Sequence, residues 1–226
     1  AGGIDSFISF DLEKAQSEKK YTKELIVTGL FGGHSGMEIH KQRGNAVQIL
    51  SRVLYEFSKD NDFELESIEG GTKHNAIPRT ASSILHLDKE NLKKLESHIK
   101  EWNEILKNEL LGIDDGIERI IKDIEKTNNK VFTKEVRDKA LAIINLIPIG
   151  VINMSQDIEG LVQTSNNLGI VRTKENEITF ESAIRSSVKS MKYEVAGKLE
   201  LIAKMTGAKI KFEGLYPEWQ FKKDSE

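Results

Sequence analysis

Three polar residues stand where this chain could do chemistry. His34 lies in Gly32-Gly33-His34-Ser35-Gly36, Asn75 in Thr72-Lys73-His74-Asn75-Ala76-Ile77-Pro78-Arg79, and Arg185 near the end of an alternating stretch, 177–186. Glycines on both sides of a histidine permit unusual backbone angles and the close approach of another molecule. An imidazole on a loop after a strand can donate a hydrogen bond to a carbonyl oxygen as it becomes an oxyanion. A glycine-rich connection with a surface histidine is the alternative. Asn75 offers a donor and an acceptor, enough to read an amide or a carboxylate, although turn chemistry also explains an asparagine ahead of a proline. Arg185 falls on the polar face of its stretch with Thr179, Glu181 and Ala183, where a guanidinium can take a carboxylate with two hydrogen bonds. Glu181, two residues away on that face, is the competing structural partner.

Other chemistries lack their parts. Five histidines are present, but none forms His-Glu-x-x-His, and no metal site is expected within the chain. His86-Leu87-Asp88 has the spacing of a ligand pair, yet Asp88 stands just before Lys89-Glu90-Asn91, where it reads as a helix N-cap behind an edge histidine. Gly-x-Ser-x-Gly is missing, and Ser35 beside His34 makes no triad by adjacency alone. Cysteine is absent, which removes disulfides, thiolate ligands and cysteine nucleophiles.

The elements that must hold these residues follow from periodicity. Ile8, Phe10 and Leu12 alternate as a strand, as do Leu25 and Val27, with 13–20 expected as a loop between them. Ala46, Val47, Leu50, Val53, Leu54 and Phe57 form one helical face. Strands are expected near 63–68 and 80–87, then a long helix through Leu92, Leu95, Ile99, Trp102 and Leu106. Two shorter helices are expected, one through Ile117, Ile120, Ile121 and Ile124, the other through Val136, Ala140, Ile143 and Ile147. Strands at 150–154, 161–172 and 177–186, a helix closed by Gly207 and a last strand at 209–212 complete the chain. Clean alternation favours antiparallel pairing with one face buried. The expected class is α+β: an antiparallel sheet with helices packed on one face, built from two ferredoxin-like β-α-β-β units. The halves are drawn at about 1–110 and 148–226, with a helical insertion at about 111–147.

The composition, with 38% hydrophobic and 31% charged residues among 226, suits a globular domain. A net charge of -3 with both signs interspersed argues against nucleic acid, and no apolar run approaches a membrane span. A cytoplasmic origin is the plain expectation. The sequence opens on Ala1-Gly2-Gly3 and closes on Lys222-Lys223-Asp224-Ser225-Glu226. Both ends are expected to be cuts in a longer chain, with processing of a precursor as the alternative.

Five separated blocks, in order, carry a family resemblance. They are Gly29–Gly36 with Ile39–Ala46, then Gly70–Arg79, Gln163–Gly169, Ile184–Ser187 and Tyr216–Trp219. Together the chain resembles the aminoacyl-histidine dipeptidases, within the di-zinc peptidase superfamily that also holds carnosinases and related carboxypeptidases. The resemblance implies a lid (dimerisation) domain, 1–226, whose parent carries two zinc ions in a separate catalytic domain. It also implies a dipeptide substrate, contact with the parent's own catalytic domain, and a homodimer. By motif, His34 resembles the lid histidine that polarises the scissile carbonyl. Asn75 resembles a substrate-contacting asparagine, and Arg185 the arginine that holds the substrate's terminal carboxylate. The zinc ligands and the catalytic glutamate are then expected outside this chain, which alone would be inactive. A purely structural homodimerisation module and a ferredoxin-like small-molecule-binding domain are the competing readings.

Overall fold

Alternation in the first strand decides which side of the sheet is inside. In β1 (Gly2–Asp11), Ile4, Ser6, Ile8 and Phe10 are buried, while Asp5, Phe7 and Ser9 are half-buried on the opposite face. The structure, a computed structural model, describes residues 1–125 and 127–218. After β1 come β2 (Lys14–Gln16), β3 (Tyr21–Thr28), β4 (Gly33–His34), a single 3-10 turn (Ile39–Lys41), α1 (Ala46–Ser58), β5 (Glu64–Gly70), β6 (Ala76–Ile77), β7 (Ala81–Leu87) and α2 (Lys89–Glu109). Then follow β8 (Glu118–Asp123), β9 (Lys130–Phe132), α3 (Lys134–Leu146), β10 (Gly150–Met154), β11 (Val162–Thr173), β12 (Glu177–Ser186), α4 (Lys189–Thr206) and β13 (Lys209–Tyr216).

The main sheet is antiparallel in every pairing and runs β13-β1-β12-β11-β5-β7-β3-β8, with β10 added alongside β11. Apolar residues of all four helices join one buried cluster with the inward residues of the strands, so the helices cover one face and leave the other open. This is the α+β architecture expected from the sequence. The strand order resolves into two β-α-β-β-α-β units: β3-α1-β5-β7-α2-β8, and β1 with α3-β11-β12-α4-β13. The second unit is therefore interrupted. Its first strand lies at the start of the chain, and the whole first unit is threaded between that strand and α3. The units meet edge to edge at β5 and β11, where Val171 pairs with Gly70.

Local chemistry sets the ends of the helices. Asn45 caps α1 by accepting from the N–H groups of Val47 and Gln48, and Asp88 caps α2 by accepting from Asn91 at 2.8 Å. Gly207, in the left-handed region at φ 63, closes α4.

The sheet departs from the sequence reading in four places. Residues 118–123 form a strand rather than a helix, so the segment 111–147 is only helical from Lys134 on. The expected loop at 13–20 contains β2, which pairs with β9. The boundary between halves does not follow the chain at 110 and 148, because β1 pairs with β12 and β13 while β8 pairs with β3. His86 is no edge residue: β7 lies between β5 and β3, and the ring is fully buried, with Nε2 2.6 Å from Glu66 Oε2.

Asn45 also spans the seam, its Nδ2 donating to the carbonyl of Leu168 at 2.8 Å. Asn45→Ala removes the cap and this cross-unit bond together. We expect a loss of about 1–3 kcal/mol in urea denaturation; an unchanged midpoint would mean that the seam does not need it.

Candidate functional site

The loop that carries His34 is closed by a buried carboxylate. Asp114 accepts from the N–H of Phe31 through Oδ1 and from the N–H of Gly44 through Oδ2, both at 2.7 Å, so the loop's two ends are tied to one side chain. Inside the loop, Glu38 does the same on a smaller scale. Its Oε2 accepts from the backbone N–H of His34 at 3.0 Å, and its Oε1 meets Lys41 at 2.9 Å and Arg43 at 3.1 Å. Arg43 also donates to the carbonyl of Gly32. The hydrogen bonds from Lys41 and from the His34 N–H hold the Glu38 carboxyl down to about 2. Gly33, at φ 138, lies so close to Glu38 and Arg43 that a Cβ there would stand 2.6 Å from Glu38 Oε2.

This frame leaves the His34 ring exposed but not undirected. Its Nδ1 accepts from the N–H of Gly36 at 3.0 Å. A nitrogen that accepts carries no proton, so the neutral ring holds its hydrogen on Nε2. That N–H has no partner among the described residues and is available as a donor.

Asn75 is brought to the same place by a two-stranded ribbon. His34 pairs with Ala76 and Gly33 with Ile77 across β4 and β6, and Ser35 N–H donates to the Asn75 carbonyl at 2.9 Å. The 72–78 loop is in turn pinned to the open face of the second unit. Asn167 Nδ2 donates to the carbonyls of His74 at 3.1 Å and Ala76 at 2.9 Å. Gly169 lies against the His74 backbone, where any side chain would collide.

Arg185 lies on that open face too, on β12. Its partner is Asp5 of β1 rather than Glu181: Nη1 donates to Asp5 Oδ1 at 2.9 Å and to the Ile184 carbonyl at 2.7 Å. The Tyr216 ring lies 5.4 Å from the guanidinium. Asp5 Oδ2 is 3.9 Å from His74 Nε2, too long for a hydrogen bond but within Coulombic reach when that ring is protonated. One run of contacts thus joins all three residues singled out in the sequence: His34 through the ribbon to Asn75, His74 to Asp5, and Asp5 to Arg185.

Asp5 and Asp114 lay outside every block singled out in the sequence, while His74, Asn167 and Tyr216 stood inside blocks that carried the resemblance without a role of their own. Asp5 had one usable signal, its place on the polar phase of an alternating strand; the others are set by strand order. Trp219, the end of the fifth block, lies outside the described residues. Among the described residues no group of three or more His, Cys, Asp or Glu could hold a metal ion, so these side chains do not fit a zinc centre. A cavity of about 610 Å3 is lined by residues such as Glu66, Lys130 and Lys174 and by none of the three candidates.

Residues 27–114 match the family model described as the peptidase dimerisation domain. The chain is 35% identical over 221 residues to the cytosol non-specific dipeptidase of Escherichia coli (strain K12), covering 97% of this chain and 45% of that protein. The aminoacylhistidine dipeptidase from Vibrio alginolyticus matches the whole chain with a TM-score of 0.96 and 38% identity, over 46% of its own length. The chain therefore spans about half the length of the relatives it matches. The resemblance read from the five blocks holds in dimerisation domain and in fold.

The Glu38 clasp makes the His34 loop sensitive to acid. A depressed carboxylate stabilises the folded loop fully above its ordinary value of 4.5, and that contribution is lost as pH falls toward about 2. The protection factor of the His34 amide, taken against the intrinsic exchange rate at each pH, should be high at neutral pH and fall across that acid window, and Glu38→Gln should lower it already at pH 7. Equal protection in the variant at pH 7 would contradict the clasp.

Proposed function

Taking as premise a chain that carries a peptidase dimerisation domain, we propose that it supplies half of a dipeptidase active site. The supporting observation is the Gly36 N–H bond to His34 Nδ1, which leaves Nε2–H exposed as a donor beside loops already fixed in place. In this reading His34 donates to the peptide oxygen as charge develops on it, Asn75 contacts the substrate, and Arg185 takes the substrate's terminal carboxylate. The domain acts as a lid, closing over the substrate and excluding water.

The metal ligands belong to a catalytic domain outside this chain. Two zinc ions held there would supply Lewis-acid activation of water. The chain alone is then inactive, and its partners are a dipeptide, that catalytic domain and a second copy of the protein in a homodimer. A cytoplasmic location is part of the proposal; the relative from Escherichia coli is named as a cytosol enzyme. No described helix is long and apolar enough to cross a membrane.

For the substrate we propose dipeptides ending in histidine, on the likeness to the Vibrio alginolyticus enzyme. The second name, non-specific dipeptidase, favours a broader range. A panel of dipeptides differing only at the C-terminal residue separates the two: a histidine preference above about tenfold in kcat/KM supports the first.

His34→Ala, in the protein joined to its catalytic domain, should lower kcat by about 100- to 1,000-fold, the usual cost of one oxyanion donor, with metal content unchanged. Turnover within a few-fold of the parent would remove the role.

A further inference from the structure

We propose that Asp5 is a positioning residue for Arg185, fixing which edge of the guanidinium is offered to a ligand carboxylate. The inference rests on the reading of Arg185 as the carboxylate holder. Nη1 has two protons, and both are used: one goes to Asp5 Oδ1 at 2.9 Å, the other to the Ile184 carbonyl at 2.7 Å. Nε and Nη2 donate to nothing among the described residues, and neither is a buried orphan. Those two N–H groups form the side edge of the guanidinium, a fork that matches a carboxylate with two parallel hydrogen bonds.

Two neighbours complete the restraint. Gly3 pairs with Arg185 on one side and with Tyr216 on the other, and a Cβ at Gly3 would overlap the Tyr216 ring. The glycine thus lets the ring fold across β1 to lie by the guanidinium. Gly214, at φ 61, leaves room for the Asp5 carboxylate, since a Cβ there would stand 2.9 Å from Oδ2. Oδ2 in turn lies 3.9 Å from His74, next to Asn75, so the same carboxylate sets Arg185 against the loop that carries another ligand contact.

The sign of the effect is diagnostic. Asp5 is an anion beside a cation that must attract an anion. If it were merely a competing counter-ion, removing its charge would strengthen ligand binding. If it positions, removal frees Nη1 to turn and binding weakens.

Asp5→Ala, which removes both the charge and the acceptor, is therefore measured in the protein joined to its catalytic domain, using a dipeptide with a free C-terminal carboxylate and its amide-blocked counterpart. We expect KM for the free carboxylate to rise about tenfold with kcat within about twofold, and the blocked substrate to be unaffected. In 15N spectra of the 226-residue chain, the Arg185 Nη1 protons should be resolved and lose that resolution in the variant while the backbone pattern is kept. A KM that falls or stays the same overturns the positioning role. Arg185→Lys is the control: if it leaves KM unchanged, the carboxylate reading fails and takes this inference with it. If it raises KM while Asp5→Ala does not, positioning alone fails.

Discussion

The amide of Asn167 sits on the open face of β11 and donates both its protons to carbonyls of the 72–78 loop. The side chain is buried, so each of those bonds is protected from water and costly to leave unmade. Through it a loop from the first unit is laid on the sheet of the second. Gly169 allows the close approach, Asn45 stitches the same seam from the helix side, and the Thr173 hydroxyl of β11 stitches it by bonding both the N–H and the carbonyl of Ile68 on β5. Without the Asn167 amide the loop that carries Asn75 would lose its direct tie to the sheet that carries Arg185.

What the seam joins is already rigid on each side. The His34 loop is closed at its ends by Asp114 and across its middle by Glu38, and β12 holds Arg185 between Asp5, the Ile184 carbonyl and Tyr216. The donors are therefore oriented before any ligand arrives, so little ordering entropy remains to oppose binding. The same arrangement leaves the Nε2–H of His34 and the side edge of Arg185 with no partner in the described chain. Donors aimed outward from a rigid face are what a lid contributes to a site completed elsewhere.

Helices were legible in the sequence because their apolar faces and caps are local: Asp88 before α2 and Gly207 after α4 do in the structure what their positions suggest. The strand β8 was not. Its inward positions, Arg119 and Ile121, continue the phase of the buried Ile117 just before it, and the buried arginine breaks the period of two, leaving isoleucines three and four apart that mimic a helix. His34, Asn75 and Arg185 were visible because loop glycines, a proline turn and an alternating strand mark them. Their partners were not, because Asp5 reaches Arg185 across 180 residues and only the interrupted second unit makes β1 and β12 neighbours. The misplaced partner, Glu181, came from counting along one strand when the nearest charge lay on the next.

The central claim is that this face binds the reacting group and the terminal carboxylate of a dipeptide. A crystal structure of the protein with its catalytic domain, bound to a dipeptide analogue bearing a tetrahedral phosphinate, tests it most directly. His34 Nε2 is expected about 2.7–3.1 Å from a phosphinate oxygen, with Nε and Nη2 of Arg185 on the carboxylate. A closed, ligand-bound structure in which His34 and Arg185 both remain out of hydrogen-bond reach of the analogue would contradict it.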